Sequence, residues 1–229
     1  TEHPYRLHAN LPEGGSEPLH VQDFEVEPLA GTIDVARLAP LFEGAFAAIW
    51  LASGDAFGAL VHALAAVSTG GFSSFDASLG HWGGGPAAVV LSFALLGAVA
   101  LPLYHRAWHA GLWRAPLTLA RDAELRLLLA ATALTTLLLW LWMPAGAGVG
   151  DALLLAMSAQ STTGFALAPL ATLDDASKLT LSAAMLSGGS VGSTAGGFKL
   201  LRLLLLLRVV QLVLARAAER RGVAAVADP

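Results

Sequence analysis

The sequence holds no cysteine, which excludes disulfides, thiolate metal sites and cysteine nucleophiles. It is also short of charge. Asp, Glu, Lys and Arg make up 13% of its 229 residues, about half the share with which a soluble domain coats its surface. There is no basic excess: 13 Lys and Arg against 17 Asp and Glu give a net charge of −4, which argues against a nucleic-acid partner. What is abundant is apolar. Hydrophobic residues reach 55% and the mean hydropathy is +0.64, so the composition predicts a membrane protein. The 24 glycines and 11 prolines are many for a plain helical bundle, and some backbone is expected to leave helical geometry. The sequence starts at Thr1, and residues 1–32 lack the apolar run of a signal peptide; it reads as a piece of a longer polypeptide.

Residues 1–32 are acidic and broken by Pro4, Pro12, Pro18 and Pro28, as in a linker or extramembrane loop. Two uncharged apolar runs, Pro86–Tyr104 and Leu127–Pro144, have the roughly 18–20 residues that cross a bilayer. Phe198–Ala217 is nearly as apolar but carries Lys199, Arg202, Arg208 and Arg216, and Ile33–Ala52 is a weaker run with Asp34, Arg37, Pro40 and Glu43. Between them lie Ala56–Val67 and Ala152–Gln160, too short to span and suited to re-entrant helices. Arginine crowds into 105–126 and 216–221, whereas 53–84 has no Lys or Arg and 145–178 has only Lys178. The positive-inside rule therefore turns the short segments outward and leaves the C-terminus cytoplasmic. All six tryptophans lie near the ends of the proposed spans, as in an interfacial belt.

The chain repeats itself. Gly54-Asp55-Ala56 recurs as Gly150-Asp151-Ala152, and Ser68-Thr69-Gly70-Gly71-Phe72 recurs as Thr162-Thr163-Gly164-Phe165, with Gly70 matched to Gly164 and a two-residue deletion assigned to the second short helix. Asp-Ala-Ser follows each motif, as Asp76-Ala77-Ser78 and as Asp175-Ala176-Ser177. The expected fold is all-α, with two tandem repeats of membrane helix, re-entrant pore helix with its loop, and membrane helix. Their boundaries are 33–109 and 123–217, with a cytoplasmic linker at 110–122 and a cytoplasmic tail at 218–229. A short helix aims the partial negative charge of its C-terminus at mid-membrane. Glycine beyond it lets successive carbonyls turn one way, and rows of carbonyls replace the hydration shell of an alkali cation. An ordinary Ser-Thr-Gly loop is the plainer alternative.

The inner helix of the first repeat is expected to run unbroken from Pro86. In the second, Leu179–Leu186 gives way to residues 187–197, with five glycines in eleven positions, which cannot hold a helix. The break falls near mid-membrane, where a mobile loop could block a pore. Lys199 just beyond is either a functional charge facing water or the start of the cytoplasmic end. Gly188-Gly189-Ser190-Val191-Gly192 fits a nucleophile elbow, but the last histidine is His109, so none follows Ser190; that motif places its base after the serine. Gly192–Gly197 with Lys199 misses the phosphate-loop pattern by one residue, and Leu200 stands where Ser or Thr would hold magnesium. His105 and His109 are spaced for a metal but suggest no third ligand. No catalytic residues and no cofactor are predicted.

With these residues in hand, the chain resembles the Trk/Ktr/HKT superfamily of potassium transporters, and within it the membrane subunit of bacterial Trk uptake systems. Three stretches carry the likeness, within residues 44–216: Ser68–Gly80, Ser161–Phe165 and, above all, Gly188–Arg202. The resemblance implies four repeats around one pore, of which the second and third are present here. It implies an ion filter at Val67, Ser68, Thr69, Gly70 and Gly71 with Ser161, Thr162, Thr163, Gly164 and Phe165. It also implies a gating loop containing Gly188, Gly189, Gly192, Ser193, Thr194, Gly196 and Gly197, with Lys199 beside it. The implied cargo is a monovalent cation, potassium or sodium, moved across a bacterial inner membrane. The implied partners are the lipid bilayer, the missing flanking repeats, a second copy in a homodimer and a cytoplasmic nucleotide-binding regulatory subunit. Two filter strands cannot encircle an ion, so flanking sequence or another copy must complete the ring. The alternatives are a non-conducting or vestigial subunit and an intramembrane serine hydrolase.

Overall fold

A computed structural model describes residues 5–9, 24–28, 39–111, 115–144, 147–203, 205–206, 208–211 and 213–214. Residues 33–38 of the weak first run, 112–114 of the expected linker, the end of the Phe198–Ala217 run and the tail 218–229 lie outside the described residues. The chain divides into two compact units, Thr1–Ala36 and Arg37–Pro229. In the first, β1 (Tyr5–Ala9) and β2 (Phe24–Pro28) pair antiparallel, Tyr5 opposite Pro28 and Leu7 opposite Val26. Both segments alternate apolar and polar residues, the period of a strand, which the surrounding prolines obscure in the sequence.

The second unit is helical: α1 (Ala39–Ser53), α2 (Ala56–Val67), α3 (Gly84–Gly97), α4 (Leu101–Ala110), α5 (Ala115–Arg121), α6 (Ala123–Trp142), α7 (Val149–Gln160), α8 (Asp175–Ser187) and helical residues at 200–203, 205–206, 208–211 and 213–214. Aspartates start several of them. The side chain of Asp55 accepts the Gly58 N–H at 3.0 Å, Asp122 that of Leu125 at 3.0 Å and Asp174 that of Ser177 at 3.2 Å, each satisfying a donor left over at a helix N-terminus. Helices α1, α2 and α3 pack on one another, α7 packs on α6 and α8, and α3 meets α7. The core between the first three is built on Ala45, Ala59, Ala63, Ala66, Ala87 and Ala94, small residues that let helix axes approach closely, as membrane helices do.

Among the described residues, α6 is the one helix long and apolar enough to cross a bilayer alone, and 22% of its apolar window is buried. A water-soluble core helix would hide that surface; here it faces outward, toward lipid or further protein. The expected unbroken inner helix from Pro86 is corrected. Helix α3 stops at Gly97 and α4 departs at 88° to it. Pro102 supplies the reason, since its ring has no N–H for the carbonyl four residues back and clashes with it. That carbonyl, on Ala98, takes the Ser190 N–H at 3.0 Å instead.

Candidate functional site

Helices α2 and α7 each have 12 residues and end in the same way. The Thr69 N–H bonds the Ala66 carbonyl and the Gly70 N–H the Ala65 carbonyl; Thr162 and Thr163 repeat the pattern on Ala159 and Ser158. This is the paired closure of a Schellman turn, whose left-handed residue is usually glycine. Here it is threonine both times, with φ of 52° at Thr69 and 59° at Thr162. A β-branched residue resists that conformation by about 1–2 kcal/mol, and such strain persists where surroundings enforce it, often at functional sites. Gly71 and Gly164 follow, both with φ of 71°. The backbone therefore matches Thr69 with Thr162 and Gly71 with Gly164, so that Gly70 corresponds to Thr163. The match of Gly70 to Gly164 was one residue out of register, and no deletion separates the two helices.

The two turns touch. A Cβ placed on Gly71 would lie 1.8 Å from the Thr163 carbonyl oxygen, so only glycine admits this approach. Among the described residues, no donor meets the carbonyl oxygens of Thr69, Gly70, Gly71, Thr162, Thr163 or Gly164. Three other expected ligands are engaged: the Val67 carbonyl takes the Thr194 hydroxyl at 3.0 Å, that of Phe165 takes the Ser158 hydroxyl at 2.7 Å, and that of Ser68 takes the Thr69 hydroxyl at 2.7 Å. The buried Ser161 hydroxyl bonds Thr163 Oγ1 at 3.1 Å. Buried, internally bonded hydroxyls of this kind fix the turn rather than float within it.

The glycine-rich stretch after α8 lies against both turns. Thr194 Oγ1 shares its one proton between the Val67 carbonyl at 3.0 Å and that of Gly97 at 2.9 Å, and the Gly196 N–H donates to Thr162 Oγ1 at 2.7 Å. Gly188, Gly192 and Gly197 have positive φ. A Cβ on Gly188 would meet Gly196 O at 2.2 Å, and one on Gly189 would meet Ala195 Cβ at 2.7 Å, so the ends of the loop close on each other. The Ser193 hydroxyl donates to Ser190 O at 2.7 Å. Lys199, itself at φ 74°, donates from Nζ to the Ser193 carbonyl at 3.4 Å and to that of Ala195.

Several partners were not foreseen in the sequence. Gln160, fully buried at the end of α7, donates to the Gly188 carbonyl and to Ser187 Oγ; a lone amide in an apolar helix was its only signal. Glu124 accepts the Val191 N–H at 3.3 Å, and the bend after α3 receives the loop through Gly97 and Ala98. Ser190, the candidate nucleophile, is buried with no hydrogen-bond partner for its hydroxyl among the described residues, which leaves it without a base. His105 and His109 stack edge to face at 4.4 Å, and no group of three metal-ligating side chains exists among the described residues.

Residues 44–224 match the family described as TrkH, cation transport protein. The chain is 32% identical over 159 residues to the Trk system potassium uptake protein TrkH of Halomonas elongata, covering 66% of this chain and 32% of the relative. It is 29% identical over 168 residues to the protein of the same name from Escherichia coli K12, covering 70% and 34%. Its fold matches the crystal structure of the potassium transporter TrkH from Vibrio parahaemolyticus with a TM-score of 0.73 and 27% identity, over 81% of this chain and 41% of that one. The chain spans about a third of the length of the curated relatives it matches.

Proposed function

This chain belongs to the TrkH family of cation transport proteins, a family of membrane transporters and not of enzymes, and from that premise we propose that it forms part of a potassium pathway through the bacterial inner membrane. In this proposal 33–109 and 123–217 are two repeats, and α2 and α7 are pore helices entering from the outer face. At 12 residues each they reach about 18 Å, too short to cross. The turns at Thr69–Gly71 and Thr162–Gly164 form two walls of an ion filter. Flanking repeats of the same polypeptide or another copy supply the others, because two walls cannot encircle an ion.

The main support is the set of six carbonyl oxygens with no donor among the described residues, on two turns that touch each other. Backbone acceptors at membrane depth need a partner, and a dehydrated alkali cation is one that carbonyls recognise. The residues 188–197, bonded to both turns, act as the gate below them, and Lys199 holds the gate's own carbonyls. Movement through the filter is passive. The membrane potential supplies about 2.3 kcal/mol per charge per 100 mV. The C-terminus is cytoplasmic, the transporter is a homodimer, and a nucleotide-binding subunit meets its cytoplasmic face.

The test is rubidium uptake by the full-length protein in cells lacking their own potassium uptake, and in proteoliposomes. The expected outcome is saturable uptake that sustains growth at low potassium, raised several-fold by deleting Gly192–Gly196. A protein that inserts normally but carries no rubidium with or without the deletion is a non-conducting subunit, and the proposal fails.

A further inference from the structure

His62 lies in the middle of α2 and is completely buried. A histidine among alanines invites the reading of a packed core residue, but both ring nitrogens are committed. Nδ1 sits 2.7 Å from the Gly58 carbonyl, one turn back, and Nε2 sits 2.9 Å from Ser73 Oγ, just past the first turn. A carbonyl can only accept, so Nδ1 carries the proton, and in the neutral ring Nε2 accepts from the Ser73 hydroxyl. Ser73 Oγ in turn accepts the Phe75 N–H at 3.1 Å. The ring is enclosed by aromatics: Trp82 at 4.6 Å, Phe75 at 5.6 Å and Phe165 at 5.8 Å between centroids. Phe165 follows the other turn. One imidazole thus joins three bodies: the helix that aims the first turn, the chain leaving it, and the chain leaving the second.

Around this ring the two exits are laced together. The Gly80 N–H donates to the Ala166 carbonyl at 3.3 Å, and the Ala166 N–H donates to Ser78 Oγ at 3.3 Å. Gly58 makes room for the enclosure, since a Cβ there would lie 2.7 Å from Trp82 Cζ2. The second repeat has no such pin. Ninety-three positions on, the spacing that relates Thr69 to Thr162, stands Leu155. The polar clamp is therefore one-sided and unpaired in the duplication, which a generic packing residue need not be.

We propose that His62 is a positioning residue that holds the two turns at a fixed separation, through Ser73 and Phe165, and so sets the preference of the filter for potassium over sodium. This rests on the filter reading above. Carbonyls favour the larger cation only while their spacing resists collapse onto the smaller one, and spacing to a fraction of an ångström is kept by the groups behind the ligands. His62 reaches no ion; it acts through the backbone that does.

The experiment compares rubidium and sodium uptake by the full-length protein in proteoliposomes, wild type against His62→Leu, His62→Gln, Ser73→Ala and the double variant His62→Leu with Ser73→Ala. Loss of one buried hydrogen bond corresponds to about a fivefold to tenfold change. The expected result is a fall of that size in the rubidium-to-sodium ratio for His62→Leu and for Ser73→Ala. The double variant should be no worse than His62→Leu, and His62→Gln, whose amide oxygen reaches Ser73, should largely keep the ratio. Reduced rates with an unchanged ratio in the inserted variants would make His62 a folding residue and overturn the proposal. Should His62→Leu fail to insert, Ser73→Ala decides alone by the same criterion. Failure of the filter reading is separate: it shows as normal uptake when Gly71 is replaced, whatever the histidine variants do.

Discussion

Replacing Gly71 by alanine is the sharpest probe of where the ion passes, because the structure grades three neighbouring glycines differently. At Gly71 the added methyl carbon falls 1.8 Å from Thr163 O and 2.8 Å from Thr163 C. Both atoms are backbone. Ordinary contact begins at 3.4 Å, so the turns must separate by roughly 1.6 Å along that line, the difference between 3.4 and 1.8 Å. The φ of 71° adds about 1–2 kcal/mol of strain for any residue with a Cβ. Misplacing a ligand by about 1 Å costs on the order of 100-fold in a process that depends on its position.

At Gly164 the same φ applies, but the nearest atom is Met185 Cε at 3.6 Å. Only the strain remains, a factor of about 5–30. At Gly70 the nearest atoms are the side-chain Phe72 Cδ2 and Ser68 Oγ, both at 3.2 Å, which yield by a few tenths of an ångström. Its φ is not in the left-handed region. Rubidium uptake by the full-length protein, normalised to the amount inserted, should therefore fall about 100-fold or more for Gly71→Ala. It should fall about 5–30-fold for Gly164→Ala and within about threefold for Gly70→Ala, well under the effect of one lost hydrogen bond. Gly71→Ala transporting as well as Gly70→Ala would refute the contact between the turns as an element of the ion path.

Two further outcomes follow from the loop. Thr194→Val keeps the shape of the side chain but removes the one hydroxyl proton shared between Val67 O and Gly97 O; losing about 1 kcal/mol predicts a leak several times the wild-type rubidium efflux, and an unaltered efflux would clear Thr194 of holding the proposed gate. Gln160→Leu leaves the Gly188 carbonyl without its side-chain donor, and about 1–3 kcal/mol for an unpaired buried acceptor should lower the melting temperature by several degrees in a thermal shift assay.

Helices α2, α6 and α7 were legible because each is an apolar run bounded by capping aspartate, glycine or proline. The register of the repeat was not. Gly54-Asp55-Ala56 and Gly150-Asp151-Ala152 match as words, but Asp55 caps its helix from the residue before it, whereas Asp151 reaches back from the third residue to the Gly148 N–H. Two carboxylates serve the same first turn from different positions, so the textual spacing misleads. Asp76-Ala77-Ser78 likewise leads into a single 3₁₀ turn at Ser78–His81, while Asp175-Ala176-Ser177 is the first turn of α8. The bend after Gly97 was hidden because hydropathy records burial and not direction. The contact of Thr194 with Val67 joins residues 127 positions apart, and no local pattern encodes that.

The irregular backbone of this chain falls into two kinds, and the difference bears on how a gate could open. Where α3 and α8 break, the freed groups satisfy one another. Gly97 O takes the Thr194 N–H, Ala98 O takes that of Ser190, Gly192 O takes that of Leu101, and Gly189 O takes that of Leu200. Lifting the loop away would strip partners from Gly97 O, Ala98 O and the Leu101 N–H together, at about 1–3 kcal/mol for each group left dry. That sum, roughly 3–9 kcal/mol, is too large for thermal opening unless water or the cation enters as the loop departs. Opening and hydration of the space below the turns are therefore one event, not two. Among the described residues the carbonyls of Thr69–Gly71 and Thr162–Gly164 carry no such internal partner; the loop reaches the turns through Val67 O and Thr162 Oγ1 instead. A movement of residues 188–197 would give up the bonds to Val67 O and Thr162 Oγ1, while the helix ends, the His62 contacts and the Gly71–Thr163 approach remain to hold the proposed filter in place.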